Sequence, residues 1–187
     1  MRKVIAAINM TIDGFCDHTA GIADEELHQH YADLLRNAGV VLYGRVTFQL
    51  MKYWQSLINN PSGDPSMDEF ARVMDRTPKI VFSHTLKTTD WDSAKLANQS
   101  LEKEVAALRQ QPGKDIFVGS PGLIAALTQL NMIDEYQLCI HPVILGNGLP
   151  LFKNISDKKM LKLRNTKSFG SGAIVLYYES AGQNATD

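Results

Sequence analysis

Cysteine is nearly absent from this chain of 187 residues: Cys16 and Cys139 are too few and too far apart for a disulfide framework or a zinc site. Neither acidic nor basic residues are in excess, 20 against 19. A formal net charge of −1 leaves no basic field to gather nucleic acid, so none is expected as a partner. No apolar run nears the roughly 20 residues that a bilayer span needs, and no membrane partner is expected. Internal repeats and low-complexity segments are also lacking. The opening MRKVIAAINMTIDGF is basic and then apolar, but Asn9 and Asp13 interrupt it before a secretory core or cleavage site can form. It reads as the first strand of a cytoplasmic protein.

What is present is enough apolar content, 44% of residues, to bury a full core. The expectation is one domain over residues 1–180 and a small polar, frayed tail over 181–187. Short apolar runs at Val4 to Ile8, Val40 to Tyr43, Lys79 to Phe82, Asp115 to Val118, Tyr136 to Ile140 and Ile174 to Tyr178 read as strands. Helical spacing lies between them. Leu27, Tyr31, Leu34, Leu35 and Ala38 predict a helix from about Asp24 to Ala38, with acidic residues in its first turn and Gly39 after its last. Leu101, Val105 and Leu108 predict a second that ends before Pro112. Leu123, Ala126, Leu127 and Leu130 predict a third, opened by Ser120 and Pro121. NNPSGDPS at Asn59 to Ser66 is a loop by composition, and the spacing of Phe70, Val73 and Met74 turns helical directly after it. Near the end, Met160 to Ser168 and Gly172 to Glu179 flank a Gly170-Ser171-Gly172 turn, so they must pair antiparallel. The fold class is therefore α/β, with a mostly parallel mixed sheet closed by an antiparallel C-terminal hairpin and flanked by helices.

Two strand-to-helix junctions carry the chemistry: VVLYGRVT at Val40 to Thr47 and IFVGSPGL at Ile116 to Leu123. Each puts a glycine where a strand stops and a helix begins, which aims free backbone N–H groups and the positive helix end outward, an arrangement that holds phosphate. At the first, Arg45 can pair with phosphate oxygens and Thr47 adds a hydroxyl. Ser83-His84-Thr85 brings three more donors to the end of the third strand. All three segments fall at the carboxyl ends of strands, where open α/β sheets bind ligands. Together they describe a dinucleotide with an extra phosphate, which favours NADPH. Any one glycine also has a plain reading as turn geometry, Arg45 one as a surface ion-pair partner, and Ser83-His84-Thr85 one as an ordinary capped loop. The first strand leads into NMTIDG instead of a glycine-rich phosphate loop, which disfavours a Rossmann or flavodoxin-like arrangement.

IAAINMTIDG at Ile5 to Gly14, LYGRVTF at Leu42 to Phe48, VGSPGLIAALTQLNMIDEY at Val118 to Tyr136 and HPVILGNGLPLF at His141 to Phe152 resemble the dihydrofolate reductase superfamily. The nearest branch is that of the C-terminal reductase domain of the riboflavin biosynthesis protein RibD. The resemblance runs from about Lys3 to Glu179. It implies an NADPH-dependent reductase with a dihydrofolate reductase-like sheet, acting on a pterin- or aminopyrimidine-like heterocycle or a carbonyl compound, as dihydrofolate reductase and 5-amino-6-(5-phosphoribosylamino)uracil reductase do on theirs. It further implies a homodimer. By the same resemblance Ala6 and Ala7 lie beside the nicotinamide, and Gly44, Arg45 and Thr47 form the cofactor junction. Ser83 and His84 lie near the adenosine 2′-phosphate, and Gly119, Ser120, Pro121, Gly122 and Leu123 form the pyrophosphate turn. Asp13 and Gly14 sit on the mobile loop over the nicotinamide, which with Asp24 makes Asp13 a candidate catalytic acid, and Asp13-Gly14 is also an ordinary turn pair.

Departures from the branch bear on the substrate. An acidic substrate contact two positions before the pyrophosphate glycine is replaced by Phe117, and the acid, proline and arginine that reach a ribose phosphate are replaced by Met51, Lys52, Tyr53 and Trp54. The polar clamp is missing. No zinc deaminase half is present either, since His-x-Glu with Pro-Cys-x-x-Cys is absent. Phe48, Tyr53, Trp54 and Phe117 can form an aromatic site for a flat heterocycle, or plain core. Hydride transfer also needs a proton source; dihydrofolate reductases place a carboxylate on the first helix for it, and by that resemblance Asp24 and Glu25 are the nearest candidates, although both also fit as plain acids complementing the helix N-terminus. Water is the other proton source. His28 and His30 point to different helix faces, so no shared metal is expected. His141, before Pro142, reads as a satisfied sheet or loop residue, and Gly146-Asn147-Gly148 as flexible backbone that shapes the cofactor pocket or a subunit contact. The alternative to a reductase is an NADP(H)-binding module without turnover.

Overall fold

The computed structural model describes residues 1–181, so the tail expected over 181–187 lies, past Ala181, outside the described residues. In chain order the elements are β1 (Val4–Thr11), α1 (Glu25–Asn37), β2 (Val40–Gly44), α2 (Arg45–Asn59), α3 (Pro65–Arg76), β3 (Lys79–Phe82), β4 (Ala94–Leu96), α4 (Leu101–Gln110), β5 (Ile116–Val118), α5 (Pro121–Gln129), β6 (Glu135–His141), β7 (Leu161–Ser168) and β8 (Ile174–Ser180). The eight strands form one sheet in the order β4-β3-β2-β5-β1-β6-β8-β7. Pairing is parallel from β4 to β6 and antiparallel where β8 meets β6 and β7, as the short Gly170-Ser171-Gly172 connection requires.

Alternation along β1 divides the core. Val4, Ala6 and Ile8 face a layer built with Val105 and Leu108 of α4 and Ile124 and Leu127 of α5. Ile5 and Ala7 face the other layer, with Ala32 and Leu35 of α1, Phe48 of α2, and Phe70 and Met74 of α3. A third, smaller cluster joins Leu27 at the start of α1 to Cys139 and Val175 beneath it. The parallel strands are apolar on both faces because helices cover both sides.

The expected helices form where their caps and periodicity put them. Asp24 accepts from the Leu27 N–H to start α1, and Ser100 accepts from the Lys103 N–H to start α4. One element was not expected. Residues 94–96 carry no apolar run, but they pair with Lys79 to Val81 at the edge of the sheet, where tertiary pairing outweighs weak intrinsic preference. No helix among the described residues is long and apolar enough to cross a membrane.

Lys79, the first residue of β3, is 1% exposed. Its ammonium donates to the Met74 and Thr77 carbonyls and to Ser93 Oγ, and lies 4.0 Å from the centre of the Trp91 ring. Burial pulls its pKa from 10.5 down to about 7. An amine whose pKa is lower folded than unfolded binds fewer protons folded, so stability rises as pH climbs from about 7 toward 10.5. Lys79→Met is expected to cost about 1–3 kcal/mol through the lost donors and to remove that rise. Urea unfolding of both proteins at about pH 7 and about pH 9 measures the difference.

Candidate active site

A short β5 opens the site. β1 pairs with β5 only through Val4, Ile5 and Ala6, whereas it pairs with β6 from Ile5 to Thr11. Past Val118 the chain leans the other way: the Gly119 N–H donates to the Leu42 carbonyl, and Ser120 Oγ accepts from the Gly44 N–H at 2.9 Å. The carboxyl half of β1 therefore takes no partner from β5 beyond Ala6, and a gap begins there. α1 and α2 both pack on α3, on the face of the sheet that carries Ile5 and Ala7.

The segments expected to bind cofactor converge on one side of this gap. Gly44 lies in register with Phe82, so Ser83 and His84 follow directly beside Gly44, Arg45 and Thr47; Gly119 to Leu123 lie on the other flank of Gly44. Gly119 must be glycine, because a Cβ there would stand 2.8 Å from the Tyr43 ring. At Gly122, a Cβ would meet nothing within 4 Å. Arg45 is exposed, donates one side-chain hydrogen bond, to Gln49 at 3.3 Å, and belongs to no ion pair among the described residues. Ser83 Oγ accepts from the Thr85 and Leu86 N–H groups and lies 3.5 Å from the Thr85 hydroxyl, so the two hydroxyls stand together at the end of β3.

Helix capping separates this edge from the rest of the fold. Side chains of Asp24, Asp64 and Ser100 cap α1, α3 and α4, but neither Gly44 at α2 nor Ser120 at α5 makes a side-chain cap. Ser120, 3% exposed, spends its hydroxyl on Gly44 instead. Two helix starts are thus tied together with their first N–H groups unsatisfied by side chains, a pairing that favours an extended anion.

The two candidate acids have structural partners. Asp24 Oδ1 accepts from the Leu27 N–H and Oδ2 from the Ser171 N–H, and the Leu27 bond foremost holds the carboxyl below its ordinary range. Asp13 accepts from the Thr11 hydroxyl and from the Leu145 and Gly146 N–H groups, which lowers its carboxyl too, the Thr11 bond contributing most. Asp13 thereby fastens the turn after β1 to the Gly146-Asn147-Gly148 segment. Phe15 and Pro150 bridge the same two stretches, and Gly14 and Gly146 take φ of +89° and +80°, the left-handed region that suits glycine.

Of the aromatics, Phe48 and Phe117 are 1% and 6% exposed and belong to the core. Phe48 packs on Trp91, away from a free surface. Trp54 is half-buried, edge-on to His28 of α1 at 5.8 Å and to Phe70 at 4.5 Å, while Tyr53 is exposed. Sequence reasoning missed a polar cluster at the end of β1. There Asn9 Oδ1 accepts from the Tyr31 hydroxyl and from His141 Nε2, each at 2.9 Å. The one signal for it was an asparagine breaking an apolar strand.

A mixed sheet, mostly parallel with antiparallel C-terminal strands and flanked by helices, is the dihydrofolate reductase-like fold. The chain belongs to the RibD C-terminal domain family, which it matches over residues 2–175. The Bacillus subtilis (strain 168) uncharacterized protein YyaP is 33% identical over 185 residues, covering 97% of this chain and 96% of its own. A pyrimidine reductase-like protein from Corynebacterium diphtheriae shares the fold with a TM-score of 0.63 at 17% identity, over 96% of this chain and 92% of its own. The diaminohydroxyphosphoribosylaminopyrimidine deaminase/5-amino-6-(5-phosphoribosylamino)uracil reductase of Thermotoga maritima does so with a TM-score of 0.66 at 17% identity, over 96% of this chain and 57% of its own.

The two glycines of the α5 junction yield a paired prediction. Gly119→Ala is expected to destabilise by about 1–3 kcal/mol through the collision with Tyr43, whereas Gly122→Ala leaves the thermal midpoint unchanged or slightly raised. Thermal melts of the two variants check both.

Proposed function

We propose that this protein is an NADPH-dependent reductase that delivers hydride to a small heterocyclic or carbonyl compound in the gap between β1 and β5. The observation that carries the reading is the pair of uncapped helix starts at Gly44 and Ser120, joined by one hydrogen bond and flanked by Arg45 and Ser83. These residues fit NADPH: two N–H-rich turns suit a pyrophosphate, and an unpaired guanidinium beside two further donors suits a 2′-phosphate. Bound NADPH would supply the hydride. Gly122 leaves room for backbone to approach a phosphate, and Ala7, the first residue of β1 past its pairing with β5, keeps the edge of the gap free of bulk. The Asp13 latch holds the segment after β1 against residues 145–146, where it can exclude water from the reacting atoms.

Asp24 is held ionised by its two N–H donors and is a poor proton source near neutral pH, so water delivers the proton. The reductase names of the Corynebacterium and Thermotoga structures support the reaction class. Phe117 and Met51 to Trp54, where the riboflavin branch carries its phosphoribosyl clamp, point to a smaller and less charged substrate. A binding module without turnover is the second reading, favoured by the commitment of Asp24 to capping.

Titration with NADPH, NADP and NADH, read by nicotinamide fluorescence, tests the proposal. NADPH is expected to bind most tightly, with Arg45→Ala and Ser83→Ala each weakening it about tenfold or more and affecting NADH less. Gly122→Ala weakens NADPH binding without lowering the thermal midpoint. Oxidation of bound NADPH by C=N or C=O acceptors separates the reductase from the silent module, and no binding of any nicotinamide dinucleotide overturns both.

A further inference from the structure

Asn9 lies on β1 two residues past Ala7 and on the same face, about 7 Å further along the strand. It is exposed, in the stretch of β1 that has no partner from β5. Its amide orientation follows from a chain of hydrogen bonds. The backbone N–H of Ile22 donates to His141 Nδ1 at 3.0 Å, and a backbone N–H can only donate, so Nδ1 carries a lone pair. The ring hydrogen then sits on Nε2. That nitrogen is 2.9 Å from Asn9, and the atom it meets must accept, which makes it the carbonyl oxygen Oδ1. Tyr31 donates its hydroxyl to the same oxygen. The cluster is rigid: His141 is 2% exposed, Gly21 packs over its ring, and burial lowers its pKa, against the opposite pull of the Asp24 carboxylate, so it stays neutral.

With Oδ1 turned inward onto two donors, Nδ2 must face outward. Among the described residues its two hydrogens have no acceptor. The gap therefore presents a fixed neutral donor at the end of β1, and no carboxylate is aimed into that position: Asp24 and Asp13 are bound to backbone N–H groups. A fixed donor recognises a lone pair, whereas a carboxylate would recognise a protonated amidine.

We propose that Asn9 is the substrate-orienting residue of this site, donating its amide N–H to the oxygen or nitrogen of the substrate's C=O or C=N bond and selecting lone-pair acceptors over amidine-type heterocycles. The inference rests on the reductase reading above. In the reaction it serves, the substrate carbon receives the hydride, the π pair moves onto the oxygen or nitrogen held by Asn9, and water protonates that atom, while NADPH is oxidised to NADP. The Asn9 donor stabilises the charge that builds on that atom. Tyr31 and His141 are positioning residues, acting only through the amide.

Asn9→Asp tests this with a change of one atom. The aspartate keeps an oxygen for Tyr31 and His141, so the fold is retained, but the outward donor becomes an acceptor. Two probes are used on the protein saturated with NADP: 1,3-dimethyluracil, which offers carbonyl lone pairs and no N–H, and protonated 2,4-diaminopyrimidine, which offers N–H groups. The native protein is expected to prefer dimethyluracil, whose addition shifts the Asn9 side-chain amide resonance. Asn9→Asp should reverse the preference, each affinity moving about tenfold or more, with NADPH binding unchanged. Failure of dimethyluracil to bind, or an unchanged preference in the variant while NADPH still binds, overturns the role of Asn9 alone. Absence of NADPH binding in the native protein overturns the reductase reading beneath it. Nitrogen-15 shifts of the His141 ring give an independent check: hydrogen on Nε2 is expected, and hydrogen on Nδ1 would falsify the amide orientation.

Discussion

One hydrogen bond governs the geometry of the candidate site, that from the Gly44 N–H to Ser120 Oγ. It draws the start of α5 toward the start of α2, and with the Gly119 to Leu42 bond it pulls the chain after β5 away from β1. A serine at a helix start would ordinarily satisfy its own helix. Here it caps across to the neighbouring junction, leaving two positive helix ends open and side by side. The gap along β1 and the pair of open helix starts are two results of the same displacement.

The two sides of that gap are built on different principles. On the side of β2 and β5 the donors are mostly backbone N–H groups at helix starts, a kind of donor that tolerates solvent and favours anions through partial charge. The far side, at the end of β1, is a side-chain network, in which Ile22, His141, Tyr31 and Asn9 each fix the next. Such a network is rigid only when every inward-facing group is satisfied, and here the amide NH2 of Asn9 is left to point outward. Charge is handled by position in both cases. Asp13 and Asp24 are held ionised by the N–H groups that bind them and serve as latches.

Much of this was legible in the residues. The strand runs at Val40, Lys79 and Ile174, the helix stripes on α1, α4 and α5, and the antiparallel closing hairpin all form, because periodicity, caps and a short glycine turn are local signals. β4 was not legible, since Ala94 to Leu96 have no strand character of their own and are held by β3. Phe48 and Phe117 illustrate a different limit. Spacing identifies an aromatic on an apolar face but not whether a ligand or another helix covers it, and Trp91, distant in sequence, covers Phe48.

By itself the sequence determined the alternation of strands and helices, the direction of the last hairpin and the glycine junctions between strand and helix, because each depends on backbone preferences within a few residues. Only the tertiary structure decided which atoms those junctions leave free. Ser120 and Gly44 are 76 residues apart in the chain, and Asn9 and His141 are 132 apart. Whether a hydroxyl caps its own helix or its neighbour's, and which way an amide turns, depends on partners that only the folded sheet brings within hydrogen-bonding distance.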